Sequence, residues 1–235
     1  MKRYKTLGNK FIGTLQGFLP SKYSFLAFIL FFTFGLVFSI LKPQYAASSF
    51  YYGFFLGNIE AKIQLPEIFS LNYFLNQFIY YLGNVSFKIF LNNVTIAFLC
   101  IFTGIAIVPI ILIDLFAFSG SLTGVLIGKF GILKAVLILL GSFHLYFEIL
   151  AALLVIDAFL KFYGSFVNAI RSRSTHKFKK DILNDFLPLI LKIIIVLAVA
   201  ALLEVFWSTW WVYILTNHYI SWHDFYFGAY SVLVH

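Results

Sequence analysis

The sequence predicts an all-α, polytopic transmembrane helical bundle of about five spans, with amphipathic helices at the interface. Three observations predict it. Hydrophobic residues make up 62% of the chain and charged residues only 11%, against about 45–50% and about 25% in soluble domains. Uncharged apolar runs of span length recur and are bounded by Lys, Arg or Asp. Basic residues gather in alternate connections, as the inside loops of a membrane protein do. The 31 Phe and 14 Tyr suit lipid faces and interfacial belts. The net charge of +8 therefore reports topology and contact with anionic headgroups first. Nucleic acid is excluded as a partner, because no basic soluble face is long enough. One cysteine, Cys100, rules out an intrachain disulfide or a Cys-rich metal site. It reads as a small buried apolar residue.

Residues 1–22 carry Lys2, Arg3, Lys5, Lys10 and Lys22, with Tyr4, Leu7, Phe11, Leu15 and Phe18 at helical spacing. They predict a cytoplasmic amphipathic helix on the membrane surface. Residues 23–41 form the first span between Lys22 and Lys42. A cleaved signal peptide competes, but the apolar run and the cationic lead-in are both long for one. Residues 42–93 read as an external interfacial loop, with aromatic residues at Phe50, Tyr51, Tyr52, Phe54 and Phe55. Pro66 and Glu67 start a helix, and Ile68, Leu71, Leu75, Phe78 and Leu82 give it one apolar face. That helix is expected to lie along the membrane. Asn84-Val85-Ser86 is a glycosylation sequon, which favours an external position.

The second span is expected at 94–113, bent by Pro109 and closed by Asp114. The third, at about 115–132, is short and relies on Lys129 and Lys134 snorkelling. Charge parity argues that it crosses. Lys161, Arg171, Arg173, Lys177, Lys179 and Lys180 lie in the next loop, 161–186, and this loop is inside only if 115–132 spans. A re-entrant hairpin is the competing reading. The fourth span is expected at 135–160 and the fifth at 187–215, with Trp207, Trp210, Trp211 and Tyr213 as the outer aromatic belt. Lys192 is expected to snorkel inward. The tail, 216–235, has no Lys or Arg and belongs outside. The localisation expected is a cell membrane, with the N-terminus cytoplasmic and the C-terminus external.

Gly120, Gly124 and Gly128 are four apart, so they line one helix face on which another backbone can approach closely. His144 and Glu148 are also one turn apart, and Asp157 and Glu204 are further ionisable groups inside span-length sequence. Such groups face protein or water-filled space. The reading is a structural hydrogen-bond pair that sets helix packing. A proton relay or ion path is one alternative. A metal pair is the other, and it would need Asp157 or Glu204 as a further ligand. Asn92 and Asn93 read as capping and interfacial residues. No nucleophile elbow, P-loop, dinucleotide fingerprint or zinc-protease helix occurs, so no catalytic residue, cofactor or metal is expected.

The order Leu91-Asn92-Asn93, Gly104, Pro109, Ser119-Gly120 with Gly124, then Phe143-His144 and Glu148 resembles the stage II sporulation protein M family. The resemblance covers about 92–162. The family's Asn-Gly stands here as Ser119-Gly120. Its Pro-His-Gly followed by Glu stands as Phe143-His144-Leu145 with Glu148, so the helix-breaking Pro and Gly are absent. The resemblance implies a small membrane protein of roughly five spans that works without catalysis in a larger assembly. The partners expected are the lipid bilayer and membrane proteins or further copies of the chain. A transport subunit with a polar pathway at His144, Glu148 and Glu204 is the first alternative, and an intramembrane metal enzyme the second.

Overall fold

The computed structural model describes residues 18–46, 71–103 and 111–216. Among them there is no strand; the elements are α- and π-helices. The basic lead-in, the aromatic cluster at 50–55, the helix start at Pro66, Gly104, Pro109 and the tail lie outside this set, as do the side chains of Trp210 and Tyr213.

Helix α1, Lys22–Leu41, begins at an N-cap Ser21 whose hydroxyl accepts from the Ser24 N–H. Helix α2 runs unbroken over Leu71–Thr103, which corrects the expected loop to residue 93. No Pro interrupts it, one Gly83 is tolerated at about 1 kcal/mol, and Lys88 sits on an exposed face. The sequon is inside this helix, with Ser86 buried, so it is not an open glycosylation site. A π-helical stretch, Ile111–Ala117, leads into α3, Phe118–Phe130. Gly131, at φ 79°, turns the chain into α4, Ile132–Gly141. Lys129 and Lys134 both lie over the Phe130 ring at this turn.

Helix α5, Phe143–Ser172, follows after one interrupting residue, Ser142. The expected single span at 135–160 is therefore two helices. The expected loop at 161–186 is helical as well: α5 continues to Ser172, α6 covers Thr175–Asp181, and a π-helical stretch covers Ile182–Phe186. Helix α7, Leu187–Leu203, starts with Pro188 in its first turn, where no N–H partner is lost. It passes through a third π-helical stretch, Glu204–Ser208, into α8, Thr209–Thr216.

Among the described residues, four helical segments are long and apolar enough to cross a membrane: Lys22–Leu41, Leu82–Thr103, Phe143–Ser172 and Thr175–Ser208. The third expected span coincides with a shorter apolar helix, Leu115–Phe130. Contact order sets the directions. Phe28 meets Phe116, a side chain on Gly120 would strike the Phe32 carbonyl, and one on Gly124 would strike Ser39, so α1 and α3 are parallel. Asn93 meets Glu148 and Phe102 meets Phe162, so α2 and α5 are parallel. Phe143 meets Trp207 while Phe162 meets Phe186, so α5 opposes the last segment. Gly131 turns α3 into α4, which packs against it, and Leu137, Gly141 and Phe143 run on as one line against Trp211 and Trp207, so α3 opposes the α4–α5 run. The five segments thus alternate in direction along the chain.

One apolar core joins α2, the 111–117 stretch, α5 and α7. Residues 151–158 of α5 are all buried. Cys100 and Phe116 are fully buried in this core.

Candidate functional site

A helix that stops inside an apolar bundle leaves its last carbonyls without intrahelical partners, and hydrocarbon supplies none. Helix α4 stops at Gly141, and side chains from elsewhere take over. The Ser142 hydroxyl donates to the Ile138 carbonyl at 2.8 Å. The Ser142 N–H donates to the Ile138 and Leu139 carbonyls, both at 3.1 Å. The Tyr146 hydroxyl donates to Leu139 at 3.0 Å. The Trp207 indole N–H donates to Gly141 at 2.9 Å, and that of Trp211 to Leu137 at 2.8 Å. The two indoles are stacked, and Phe143 stacks on Trp207. Gly141 has to be glycine, because a Cβ there would strike the Trp211 ring. Trp207 and Trp211 thus close the gap between α4 and α5, a role the belt reading did not contain.

Next to this break lies the polar centre. His144 and Glu148 project from the first turns of α5. Glu148 does not bond to His144: its Oε1 accepts from the Asn93 side-chain amide of α2 at 3.3 Å. Glu204, from the π-helical stretch, lies close enough to Glu148 for the two carboxyl groups to interact electrostatically. His144 Nδ1 and Ser208 Oγ are sealed from the surface with no hydrogen-bond partner, and Glu204 Oε2 is sealed too. A π-helical turn widens the backbone and re-aims its side chains, and such turns concentrate at functional sites. Here one carries both Glu204 and Ser208.

The remaining expected residues divide. Asn92 is exposed, one position from Asn93 but on the other side of the turn. Asp157 is not part of the polar centre, as it lies more than two turns further along α5. It is buried, and its carboxylate accepts from the Ser21 N–H at 2.7 Å and from the Ser21 hydroxyl. An acid from α5 thus caps the positive end of α1. Nearby, Lys192 lies over the Phe18 ring at 5.5 Å. Among the described residues, no three His, Cys, Asp or Glu side chains are grouped to hold a metal ion.

Gly120 and Gly124 lie against α1, whereas a Cβ on Gly128 would meet open space. The expected face of three glycines is a face of two. It is completed by Gly35, where a Cβ would strike the Ala117 carbonyl. Gly35 and Ser39 are themselves small residues four apart, the signal that marks α1 as the partner.

The fold and the site together define a multi-pass helical membrane protein with a buried carboxyl–histidine centre at a helix break. The sequence carries the matching signature: the stage II sporulation protein M family model covers residues 24–209, and the chain belongs to that family. No curated protein and no solved structure matches the sequence.

Proposed function

We propose that the protein is a non-enzymatic membrane subunit of a larger assembly, and that its working centre is the Glu148–Glu204 pair, a proton- or cation-binding site inside the bilayer. It sits in a cell membrane with its N-terminus cytoplasmic and its C-terminus external. The observation that carries the reading is the apposition of two acids from two helices beside a helix break. Two carboxylates buried close enough to interact repel, so they make a poor packing device, whereas a bound proton or small cation removes the repulsion. Interrupted helices that place such groups mid-span are the usual architecture of intramembrane ion sites. His144 and Ser208 add polar atoms that a proton can visit.

The second reading is a scaffold whose polar centre only ties helices together. The Asn93–Glu148 hydrogen bond favours it. Glu148→Gln and Glu204→Gln separate the two. An amide still accepts from Asn93 but cannot titrate. The expected result is normal folding in mild detergent with loss of complementation in a deletion strain and of proton or cation flux in proteoliposomes. Full complementation by both variants would sink the carboxyl-pair reading and leave the scaffold.

A further inference from the structure

Helix α1 has the length of one membrane crossing. It lies between Lys22 and Lys42, a length of about 30 Å, which equals the hydrocarbon thickness of about 30 Å. Asp157 is bonded to Ser21 at one end of that helix, and Lys192 lies over Phe18 at the same level. Helix α5 continues from Asp157 to Ser172, about 22 Å further at about 1.5 Å per residue. Among the described residues, the last contact of α2 along α5 is the Phe102 carbonyl, which accepts from the Tyr163 hydroxyl at 2.8 Å.

Beyond that level α5 and the returning segment form a two-helix hairpin. It is held by Phe162 and Phe166 against Phe178. Its tip is built by Arg173 in the left-handed region, with the Ser174 N–H donating to Ala169 and the Ser174 hydroxyl capping α6. Arg171, Arg173, Lys177, Lys179 and Lys180 are all exposed on it, against one acid, Asp181. Between these charges Val167, Ile170 and Leu183 are exposed too, Ile170 to 62%.

We infer that this hairpin is the docking surface for an acidic, amphipathic segment of a partner protein on the aqueous side of the membrane. Headgroups in the same leaflet extend only several ångströms past the hydrocarbon, and salt screens charge over about 8 Å, so the tip stands too far out to serve the bilayer from which it rises. Nucleic acid would neutralise the cations and leave the aliphatic side chains in water. A helix with acids and aliphatics at alternate turns satisfies both. The inference rests on the reading of the chain as a subunit, and is independent of the carboxyl centre.

The test uses the full chain in native membranes, with a photo-crosslinking amino acid at Ile170 and, as a lipid-facing control, at Leu30. The expected result at Ile170 is a discrete protein adduct whose crosslinked segment, mapped by mass spectrometry, is acidic. Its yield falls at least tenfold in Arg171→Glu/Arg173→Glu/Lys177→Glu/Lys180→Glu, and several-fold in the milder Arg171→Gln/Lys177→Gln. Lipid adducts at Ile170 like those at Leu30, nucleic-acid adducts, no adduct, or an adduct indifferent to both variants would each overturn it. Failure here leaves the Glu148 and Glu204 tests untouched, and their failure leaves this one standing.

Discussion

Helix α1 against α3, and the broken α4–α5 helix against the last segment, are two ways of joining helices inside lipid. At the first contact the hydroxyls present turn back on carbonyls of their own segments. Gly35, Gly120 and Gly124 let backbones touch, and Ser39 turns its hydroxyl back to the Leu36 carbonyl at 2.7 Å. At the second, polar groups are imported: indole, phenol and serine donors cap the carbonyls of a stopped helix, and two acids and a histidine gather beside it. Lipid offers no hydrophobic gain from bringing helices together, so association depends on close packing or on hydrogen bonds. The molecule uses one device at each site. The dry contact tolerates no added volume, and the polar one tolerates no lost donor.

Gly120→Leu should have the largest effect. Its side chain would begin inside the Phe32 carbonyl, and backbone cannot move aside as a side chain can. We expect a cost above the roughly 1–3 kcal/mol of ordinary overpacking, seen as loss of monodisperse protein in detergent. A normally folded Gly120→Leu protein would break the comparison at its first half.

Trp207→Phe with Trp211→Phe comes next. The rings remain while both indole donors go, exposing the Gly141 and Leu137 carbonyls. At about 0.6–1.7 kcal/mol per intramembrane hydrogen bond, the pair should lower stability by roughly 1–3 kcal/mol in detergent unfolding. No change would mean that the break does not depend on the last helix.

Asp157→Asn should cost about 1 kcal/mol. The amide still receives one bond from Ser21, but the charge at the helix N-terminus is gone. Proteolysis near Lys22 should rise while the α4–α5 region keeps its protection. Equal loosening of both regions would show that the two contacts are not separate.

Gly128→Leu is the smallest, within about 0.5 kcal/mol, because the position faces open space. A large loss would put Gly128 back in the packed face, in this chain or against another.

The glycine contact was half legible. The four-residue spacing marks a close face, but the place where that face ends depends on how far α1 runs beside α3, and Lys42 ends α1 before Gly128 is reached. The polar centre was legible in its members and not in its pairings. Glu148 and Glu204 stand out as acids in lipid-length sequence. Helical spacing alone suggests His144 as the partner of Glu148, while the bond goes to Asn93, which belongs to a different helix. Asp157 was grouped with them by sequence, yet its partner, Ser21, comes from the other end of the chain. The break at Ser142 had one local signal, the Gly141-Ser142 pair, set in an apolar run that continues through it without proline. Ser142 and Tyr146 take the Ile138 and Leu139 carbonyls locally, while Trp207 and Trp211, which only the folded chain brings there, take those of Gly141 and Leu137.

By itself, the sequence determined that this is a multi-pass helical membrane protein, where its apolar segments lie, and which family it belongs to. Those properties follow from local composition and spacing, since hydrocarbon forces each segment to satisfy its own backbone. Tertiary structure alone decided which distant side chains take over the carbonyls of a stopped helix, and which element each acid meets. Each of these depends on a group far along the chain: an indole donor for the break, a carboxyl for the pair, and a serine N-cap that pins α1 to the middle of α5.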